Sequence, residues 1–384
     1  MLLERLSVIF QVIEFIIQLK LTKMTRIFLM TLMVIATFFN SSFAQDSTKT
    51  LTISGSVDGY YRHNFANASD DGLNSNNRTS FTNSQGAFAL GMATIKADAT
   101  ALSGKITGTV DLGFGTRAEE FSYYEKASGS SLTLVKQMYL TYALSNKVKI
   151  TAGKFATHVG YELMDAPLNR NYSMSYMFTN GPFSHTGVKM DVTEGNVGFM
   201  VGVANFIDQT ASTTSVKTLI AQLSGGSADG KFKTYLNYAG FFGSTKGLNP
   251  LGLKSFNQLD LVVTGTVSDK FNLGFNGTLQ SRNQVEGAGS VNGSWKGAAL
   301  YLNVDPSASV GLTLRTEYIS DSKMIYFGTK NILANTLSVN IKAGSFTLIP
   351  ELRFESAQSG FYTKNDGSTS KSTATALLAA VYKF

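Results

Sequence analysis

The sequence predicts an all-β chain that closes into a transmembrane, antiparallel, up-and-down β-barrel of about sixteen strands. Three observations support this prediction: apolar and polar residues alternate with a period of two, short turns and long loops follow each other regularly, and the last strand ends in an aromatic residue. The composition agrees with it. Charged residues make up only 15%, which is low for a soluble domain, and there is no cysteine for a disulfide or a thiolate metal site.

The alternation has the period of a β-strand and runs through most of the chain after residue 50. Ile106, Val110 and Phe114, for example, alternate with Thr107 and Asp111. In a sandwich the polar face would be the outside, whereas in an outer-membrane barrel the polar face lines the lumen. The alternation alone therefore leaves both architectures open.

The connections distinguish the two architectures, because tight turns and longer polar loops alternate strictly along the chain. A bacterial outer-membrane barrel has short periplasmic turns and long extracellular loops, and this order predicts that both termini are periplasmic. A sandwich has no reason to sort its loops by length. The long loops are predicted near residues 66–85, 117–131, 158–183, 208–216, 243–254, 284–293, 320–334 and 358–372.

The C-terminal strand supports the barrel. Tyr382 and Phe384 share one face, and an aromatic residue at the very C-terminus resembles the signal by which outer-membrane barrels are recognised by the barrel-assembly machinery. This strand must pair with the first one, near residues 51–65, because an open sheet edge leaves backbone groups unsatisfied in lipid.

The N-terminal sequence has the pattern of a targeting segment. Residues 24–44 contain a short basic region, a mainly apolar run and small residues before a predicted cleavage between Ala44 and Gln45, which is the layout of a secretory signal peptide. We interpret residues 1–23 as an upstream extension with translation beginning at Met24; an unusually long signal or an inner-membrane anchor is the alternative. Residues 45–384 then form the barrel.

Two residues fit the pattern badly. Pro350 lies inside a predicted strand, where it removes a backbone donor, and we expect a local bulge there. Lys136 falls in the lipid-facing phase of its strand, where it would have to reach the headgroup level unless the phase changes.

No recognised enzyme signature is present. The chain has no nucleophile elbow, no His-Glu-x-x-His, no phosphate-binding loop and no EF-hand pattern, so we expect no enzymatic activity, no cofactor and no metal. The spacing of His158, Glu162 and Asp165 is compatible with a metal but does not require one. The basic residues are scattered rather than clustered, which argues against nucleic acid as a partner.

Charges of both signs occupy inward-phase positions of the predicted strands. Either these charges pair across neighbouring strands and solvate the wall, or they line a hydrated pore that weakly favours anions. The predicted pore-lining wall consists of Asp58, Arg62, Lys105, Asp111, Lys189, Asp191, Arg282, Arg315, Glu317, Glu351, Arg353 and Glu355.

The stretch around residues 150–190 carries a family resemblance. Gly-Lys-Phe at 153–155, Gly-Tyr-Glu at 160–162, Asn-x-Asn-Tyr-Ser-x-Ser-Tyr at 169–176 and Pro-Phe-Ser-His-Thr-Gly at 182–187 resemble the OmpL-like family of outer-membrane β-barrel porins (β-barrel porin 2). The strand at 53–61 is similar to the first strand of that family. The resemblance implies a porin but supplies no catalytic residue and no substrate.

The third loop, 158–183, is the longest, and it contains His158, three tyrosines and charged residues of both signs, with His185 just beyond it. By analogy with general porins, we expect it to fold into the barrel and narrow it. The predicted constriction residues are His158, Glu162, Asp165, Arg170, Tyr172 and His185.

These observations favour passive diffusion of small hydrophilic solutes and ions across the outer membrane of a Gram-negative bacterium. The alternatives are a channel dedicated to one substrate and a barrel without a transport role, such as an adhesin, scaffold or outer-membrane hydrolase. Expected partners are outer-membrane lipid, the assembly machinery, the solutes and further copies of the chain in a homotrimer.

Overall fold

A computed structural model describes residues 49–66, 76–212, 214–241, 253–284 and 292–384 of the protein. The predicted upstream extension, the signal peptide and its cleavage between Ala44 and Gln45 lie outside the described residues. Their assignment stays a prediction.

The described chain forms a closed antiparallel barrel, which confirms the predicted all-β fold of sixteen strands. Each strand pairs with its neighbours in sequence, and the last strand pairs with the first. The barrel strands are β1 (Thr50–Asn64), β2 (Ala87–Ala101), β3 (Ile106–Phe114), β4 (Val135–Ala143), β5 (Val148–Ala156), β6 (Ser184–Glu194), β7 (Val197–Ala204), β8 (Thr218–Gly226), β9 (Phe232–Phe241), β10 (Leu253–Ser268), β11 (Phe271–Gln284), β12 (Asn292–Ser307), β13 (Val310–Ser320), β14 (Asn331–Ala343), β15 (Phe346–Ala357) and β18 (Ser372–Lys383). A separate small hairpin, β16 (Tyr362–Thr363) with β17 (Thr369–Ser370), lies in the last long connection.

Helices occur only as short pieces of the long connections in the described chain. These are α1 (Thr116–Phe121), α2 (Tyr123–Ala127) and α3 (Tyr176–Thr179), with 3₁₀ turns at Ser131–Leu134 and Ala166–Leu168. None of the helices in the described ranges is long and apolar enough to span a bilayer.

The two faces of the wall differ as a membrane barrel requires. On β14, Leu333, Leu337 and Ile341 point outward and are exposed, while Thr336 and Ser338 point inward and are fully buried. An apolar outer face with a polar inner face is stable only where the outside is lipid. The burial pattern therefore decides between the two architectures that the alternation left open, and it favours the membrane barrel over the sandwich.

Closure between β1 and β18 depends on the C-terminal residue. Tyr61 of β1 lies opposite Leu378 of β18, and Gly55 and Phe384 exchange both of their backbone hydrogen bonds at 3.0 Å. This pairing satisfies the edge that would otherwise face lipid.

The bulge predicted at Pro350 is wrong. The register between β14 and β15 is the same on either side of this residue, with Ser338 opposite Glu351 and Ile341 opposite Leu348, and only the pairs between them are skipped. The ladder tolerates the missing donor without inserting a residue, because Pro350 still lies in register opposite Leu378 on its other side.

The lipid-facing phase expected for Lys136 is also wrong. A register shift between β3 and β4 at Asp111 turns Lys136 inward. Its Nζ lies 3.1 Å from Asp111 Oδ1 and 2.6 Å from Asp165 Oδ1, and its side chain is buried. A β-bulge re-aims one side chain without changing the rest of the strand.

The apolar core of the protein lies inside the barrel. The long connections carry aromatic residues inward, and Phe81, Phe121, Phe178 and Phe183 pack with buried methionines in one of the interior clusters. A barrel of sixteen strands is wide enough to leave an aqueous channel unless its own loops occupy it. Here they occupy a large part of it.

The barrel closure gives a direct test in a chain with no natural cysteine. We expect Tyr61→Cys with Leu378→Cys to form a disulfide on mild oxidation, since directly opposed residues meet the Cα separation that a disulfide needs. The bond is detected by electrophoretic mobility with and without reductant.

The matched control is Tyr61→Cys with Ala380→Cys, which is displaced diagonally because Ala380 lies opposite Gly59. Equal oxidation of the two pairs would contradict the register.

Candidate pore and its inner wall

The β5–β6 connection (residues 157–183) runs inside the barrel. It leaves β5 and follows the inner wall in chain order: His158 contacts β9, Gly160 contacts β10, and Glu162 contacts β13. Tyr172 then reaches both β15 and β1. The connection therefore crosses the lumen and lies mainly against the wall from β9 to β15 and β1, with one further contact to β4 through Asp165 and Lys136.

Local sequence explains the path of the connection. Gly160 has φ +94°, a backbone conformation that glycine adopts without strain, and its N–H donates to Asp260 Oδ1 at 2.9 Å. A proline starts the 3₁₀ turn at Ala166–Leu168, and Ser175 caps α3 by accepting the N–H of Phe178. These devices make a compact path possible without regular secondary structure.

A buried ion pair anchors the middle of the connection. Arg315 Nη1 donates to Glu162 Oε1, and both side chains are almost fully buried. Arg315 also donates to the carbonyl oxygen of Ser173 at 2.7 Å, while Glu162 Oε2 accepts the N–H of Ser175 at 2.7 Å. Arg315 of the wall and Glu162 of the connection thus belong to one hydrogen-bond network.

Acidic wall residues bind the backbone of the connection. Glu351 Oε2 accepts the N–H of Tyr172 at 2.9 Å, and Glu317 Oε2 accepts the N–H of Met177 at 3.1 Å. Arg353 donates to the carbonyl oxygen of Met174 at 2.8 Å. The buried wall charges are therefore matched by backbone groups of the connection.

Tyr172 links the connection to β1 and to α1. Its hydroxyl donates to Asp58 Oδ2 at 2.5 Å, and the guanidinium of Arg117 lies 4.8 Å from the centre of its ring. Arg117 also donates to the carbonyl oxygen of Met164 at 3.0 Å. Burial, the largest cause, and the nearby Asp58 charge raise the pKa of Tyr172 well above its ordinary value, so the hydroxyl keeps its proton and remains a donor.

Further contacts fix the connection near its start and in its middle. Lys136 bonds to Asp165, and Arg170 Nη1 donates to Asp305 Oδ1 at 3.0 Å. Near the start of the connection, His158 Nε2 lies 3.0 Å from the carbonyl oxygen of Tyr238. Burial lowers the pKa of His158 to about 4, so the ring is neutral near pH 7 and donates to that carbonyl.

Asp208, in the β7–β8 connection, binds the C-terminal end of the β5–β6 connection. Its Oδ1 accepts the N–H groups of Phe183 and Ser184 at 2.6 and 2.9 Å, and its Oδ2 accepts the hydroxyl of Tyr123 at 3.2 Å. Burial raises the pKa of this carboxyl to about 6. Three connections therefore meet at one side chain.

The residues predicted for the constriction are thus placed in contact with the wall. Glu162, Asp165, Arg170 and Tyr172 each bond to a wall residue, as described above. His185, on β6, has its ring centre 5.3 Å from that of His158.

The predicted wall residues divide into three groups. The larger group bonds to the connections or to other buried groups, and it comprises Asp58, Arg62, Asp111, Arg282, Arg315, Glu317, Glu351, Arg353 and Glu355. Lys189 and Asp191 instead pair with each other and line an open cavity. Lys105 lies in the exposed turn before β3.

That cavity has a volume of about 830 Å³ and extends along the inner faces of β2 to β6. It begins at the end of the barrel that bears the short turns, near Asn146, and reaches inward to Phe155. Hydroxyl-bearing and charged side chains make up most of its lining. Thr107, Thr109, Tyr139, Thr141, Lys149 and Thr151 are among them, and Gln137 adds an amide. The sequence prediction did not include these residues because it selected charged positions, and all of them except Lys149 are uncharged.

A closed antiparallel barrel with an apolar exterior and a polar, partly filled interior defines an integral outer-membrane β-barrel protein. The chain belongs to the family described as "Putative beta-barrel porin-2, OmpL-like", whose sequence profile matches residues 50–384. The predicted family resemblance is therefore confirmed, and it indicates an outer-membrane porin. No curated protein matches the chain by sequence.

Solved outer-membrane proteins share the fold. The outer membrane channel DcaP of Acinetobacter baumannii superposes with a TM-score of 0.60 at 13% identity, covering 90% of this chain and 100% of that one. The anion-selective porin from Comamonas acidovorans gives 0.58 at 10% identity, covering 88% and 100%. The trimer form of OmpT from Vibrio cholerae gives 0.58 at 13%, also covering 88% and 100%. At these identities the likeness establishes the fold alone.

Removing the buried cation should loosen the connection. In Arg315→Met, Glu162 loses its counter-ion and the carbonyl of Ser173 loses its donor, and breaking such a pair typically costs about 3–5 kcal/mol. We expect faster amide hydrogen exchange in peptides from residues 157–183, measured by mass spectrometry in detergent.

The double variant Arg315→Met with Glu162→Gln is the control, because it leaves no unpaired buried charge. It should exchange more slowly than the single variant. Unchanged exchange in the single variant would show that the pair does not hold the connection.

Proposed function

We propose that the protein is a porin through which small hydrophilic solutes and ions diffuse across the outer membrane, along the inner faces of β2 to β6. The single observation that carries this proposal is the polar cavity of about 830 Å³ on that side of the lumen. Cavities lined by hydroxyl groups and mobile charges hold water, and water is the medium that such solutes need.

The β5–β6 connection would narrow this path. Its bonds to β9 through β15 and to β1 hold it against the opposite half of the wall. The space that remains for solutes is then bounded by the connection on one side and by β2 to β6 on the other. The narrowest part would lie beyond Phe155, which packs in a buried apolar cluster with Val159 and Phe206 of the connections.

The cavity lining supports a weak preference for anions. Its charged residues are Lys147, Lys149 and Lys189 against Asp98 and Asp191, which gives 3 − 2 = +1. Lys189 is paired with Asp191 and Lys147 with Glu194, so Lys149 would contribute most to the field. One structural relative of this fold is described as anion-selective.

Orientation and assembly follow from the same proposal. The short turns and both termini would face the periplasm. The barrel-assembly machinery would recognise Tyr382 and Phe384. The trimer form of OmpT supports a homotrimer for this chain as well.

A channel dedicated to one solute class is the second candidate. It is favoured by Tyr139 and Phe155, two aromatic residues that line the cavity among polar groups, since such rings can stack on the flat faces of sugars or bases. Block of the current by one solute class at low concentration would distinguish it from general diffusion. A barrel without conductance would instead support a non-transport role.

Shortening the connection should widen the path. We expect replacement of residues 163–174 by a short Gly-Ser linker to raise single-channel conductance several-fold in planar bilayers, because the barrel itself is wide enough for an aqueous channel. Shortening the β16–β17 hairpin at residues 364–368 is the control, and it should leave conductance unchanged. Equal conductance of wild type and the first variant would mean that the connection does not narrow the pore.

The same bilayers report ion selectivity. In a salt gradient the reversal potential of the wild type should show a slight anion preference, and Lys149→Glu should shift it towards cations. An unchanged reversal potential would show that Lys149 does not lie on the path of the ions.

A further inference from the structure

The outer face of β9 to β13 changes from apolar to polar over three neighbouring rows of paired residues. Each row is formed by residues that lie directly opposite one another on adjacent strands, and rows are separated by two residues along each strand, about 7 Å. The first row consists of Leu236, Leu261, Gly277, Ala298 and Tyr318, the second of Tyr238, Leu259, Leu279, Lys296 and Ser320, and the third of Asn257, Ser281 and Ser294.

The first row forms a trough. Gly277 and Ala298 lie opposite each other and have almost no side chain, while Leu261 and Tyr318 stand on either side of them. The resulting apolar groove has a volume of about 500 Å³. Its apolar lining matches a hydrocarbon chain rather than a polar solute.

The second and third rows form a polar pocket that continues the trough towards the end of the barrel with the long loops. This pocket has a volume of about 570 Å³ and shares Leu259, Leu279 and Lys296 with the trough. Ser281 and Ser294 add hydroxyl groups to it. A continuous groove therefore runs from an apolar floor to a cation and then to hydroxyl groups.

Lys296 is unusual among the outward positions of the described strands. Exposed charged residues on this face otherwise stand at strand ends, as Glu194 does at the end of β6, whereas Lys296 lies further inside β12. A lysine at the bilayer midplane costs about 2–4 kcal/mol, and the cost falls towards the interface. An anion at the same depth would offset that cost.

We propose that this groove binds one anionic, phosphate-bearing lipid of the surrounding leaflet, with an acyl chain in the trough and the phosphate at Lys296. Hydroxyl groups of the third row would bond to the remainder of the headgroup. The proposal depends on the chain lying in a membrane and not on its conducting.

Charge complementarity favours a lipid over a second copy of the chain. Within the described strands, the outward face offers no carboxylate away from the strand ends, so the wall of a second copy would bring no partner for Lys296. A lipid phosphate supplies the negative charge and the apolar chain in one molecule.

Native mass spectrometry of the detergent-solubilised protein tests the proposal, with phosphatidylglycerol and phosphatidylcholine of identical acyl chains as probes. Lys296→Gln should reduce bound phosphatidylglycerol about fivefold, the equivalent of roughly 1 kcal/mol for one lysine at an anionic surface, and should leave phosphatidylcholine binding unchanged. Ala298→Leu fills the trough and should reduce binding of both lipids.

Ala97→Leu is the matched control, since Ala97 is an outward alanine between Ile53 and Val110 on a different part of the wall. It should bind both lipids like the wild type. Equal phosphatidylglycerol binding by wild type and Lys296→Gln would overturn the proposal. So would a change in subunit number in Ala298→Leu with unchanged lipid binding, which would make this face a contact between copies.

Discussion

Charged side chains that are sealed from water inside the barrel must find partners, and this constraint organises the interior. An isolated buried charge costs several kcal/mol, so Arg315, Arg353, Glu317 and Glu351 are stable only when something matches them. The β5–β6 connection does so with Glu162 and with backbone groups that its irregular path leaves free. The same bonds satisfy the connection, which has no ladder of its own. The buried charges of the wall and the backbone groups of the connection therefore satisfy each other.

This mutual requirement divides the barrel into two halves with different properties. Against β9 to β15 and β1, buried polar wall groups bond to the connection. Along β2 to β6, lysines, threonines and aspartates face a cavity. A buried ion pair adds little net stability. It nevertheless favours one position of the segment over others, because any other position would leave a buried charge without its partner. The asymmetric lumen is a consequence of where the buried charges lie.

Much of the fold could be predicted from the sequence, because strand alternation and loop length are local patterns. The inner network could not, since its partners are far apart in the chain: Tyr172 and Asp58 are separated by 114 residues, and a pattern of period two says nothing about which inward charge meets which loop. The bulge that turns Lys136 inward has no strong local signal, and Pro350 has one that the structure does not follow. The cavity lining was missed because inward threonines look the same whether they face water or a loop.

The central claim is that water occupies the lumen along β2 to β6 and is excluded where the connection bonds to buried wall residues. Single cysteines test it most directly, with a charged, membrane-impermeant methanethiosulfonate reagent applied during bilayer recording. Thr141→Cys, in the cavity, should react and reduce the current, whereas Ser338→Cys, fully buried behind Asn171 and Glu351, should not react in the native protein. An unreactive Thr141→Cys, or a Ser338→Cys that reacts equally fast, would contradict this account of the pore.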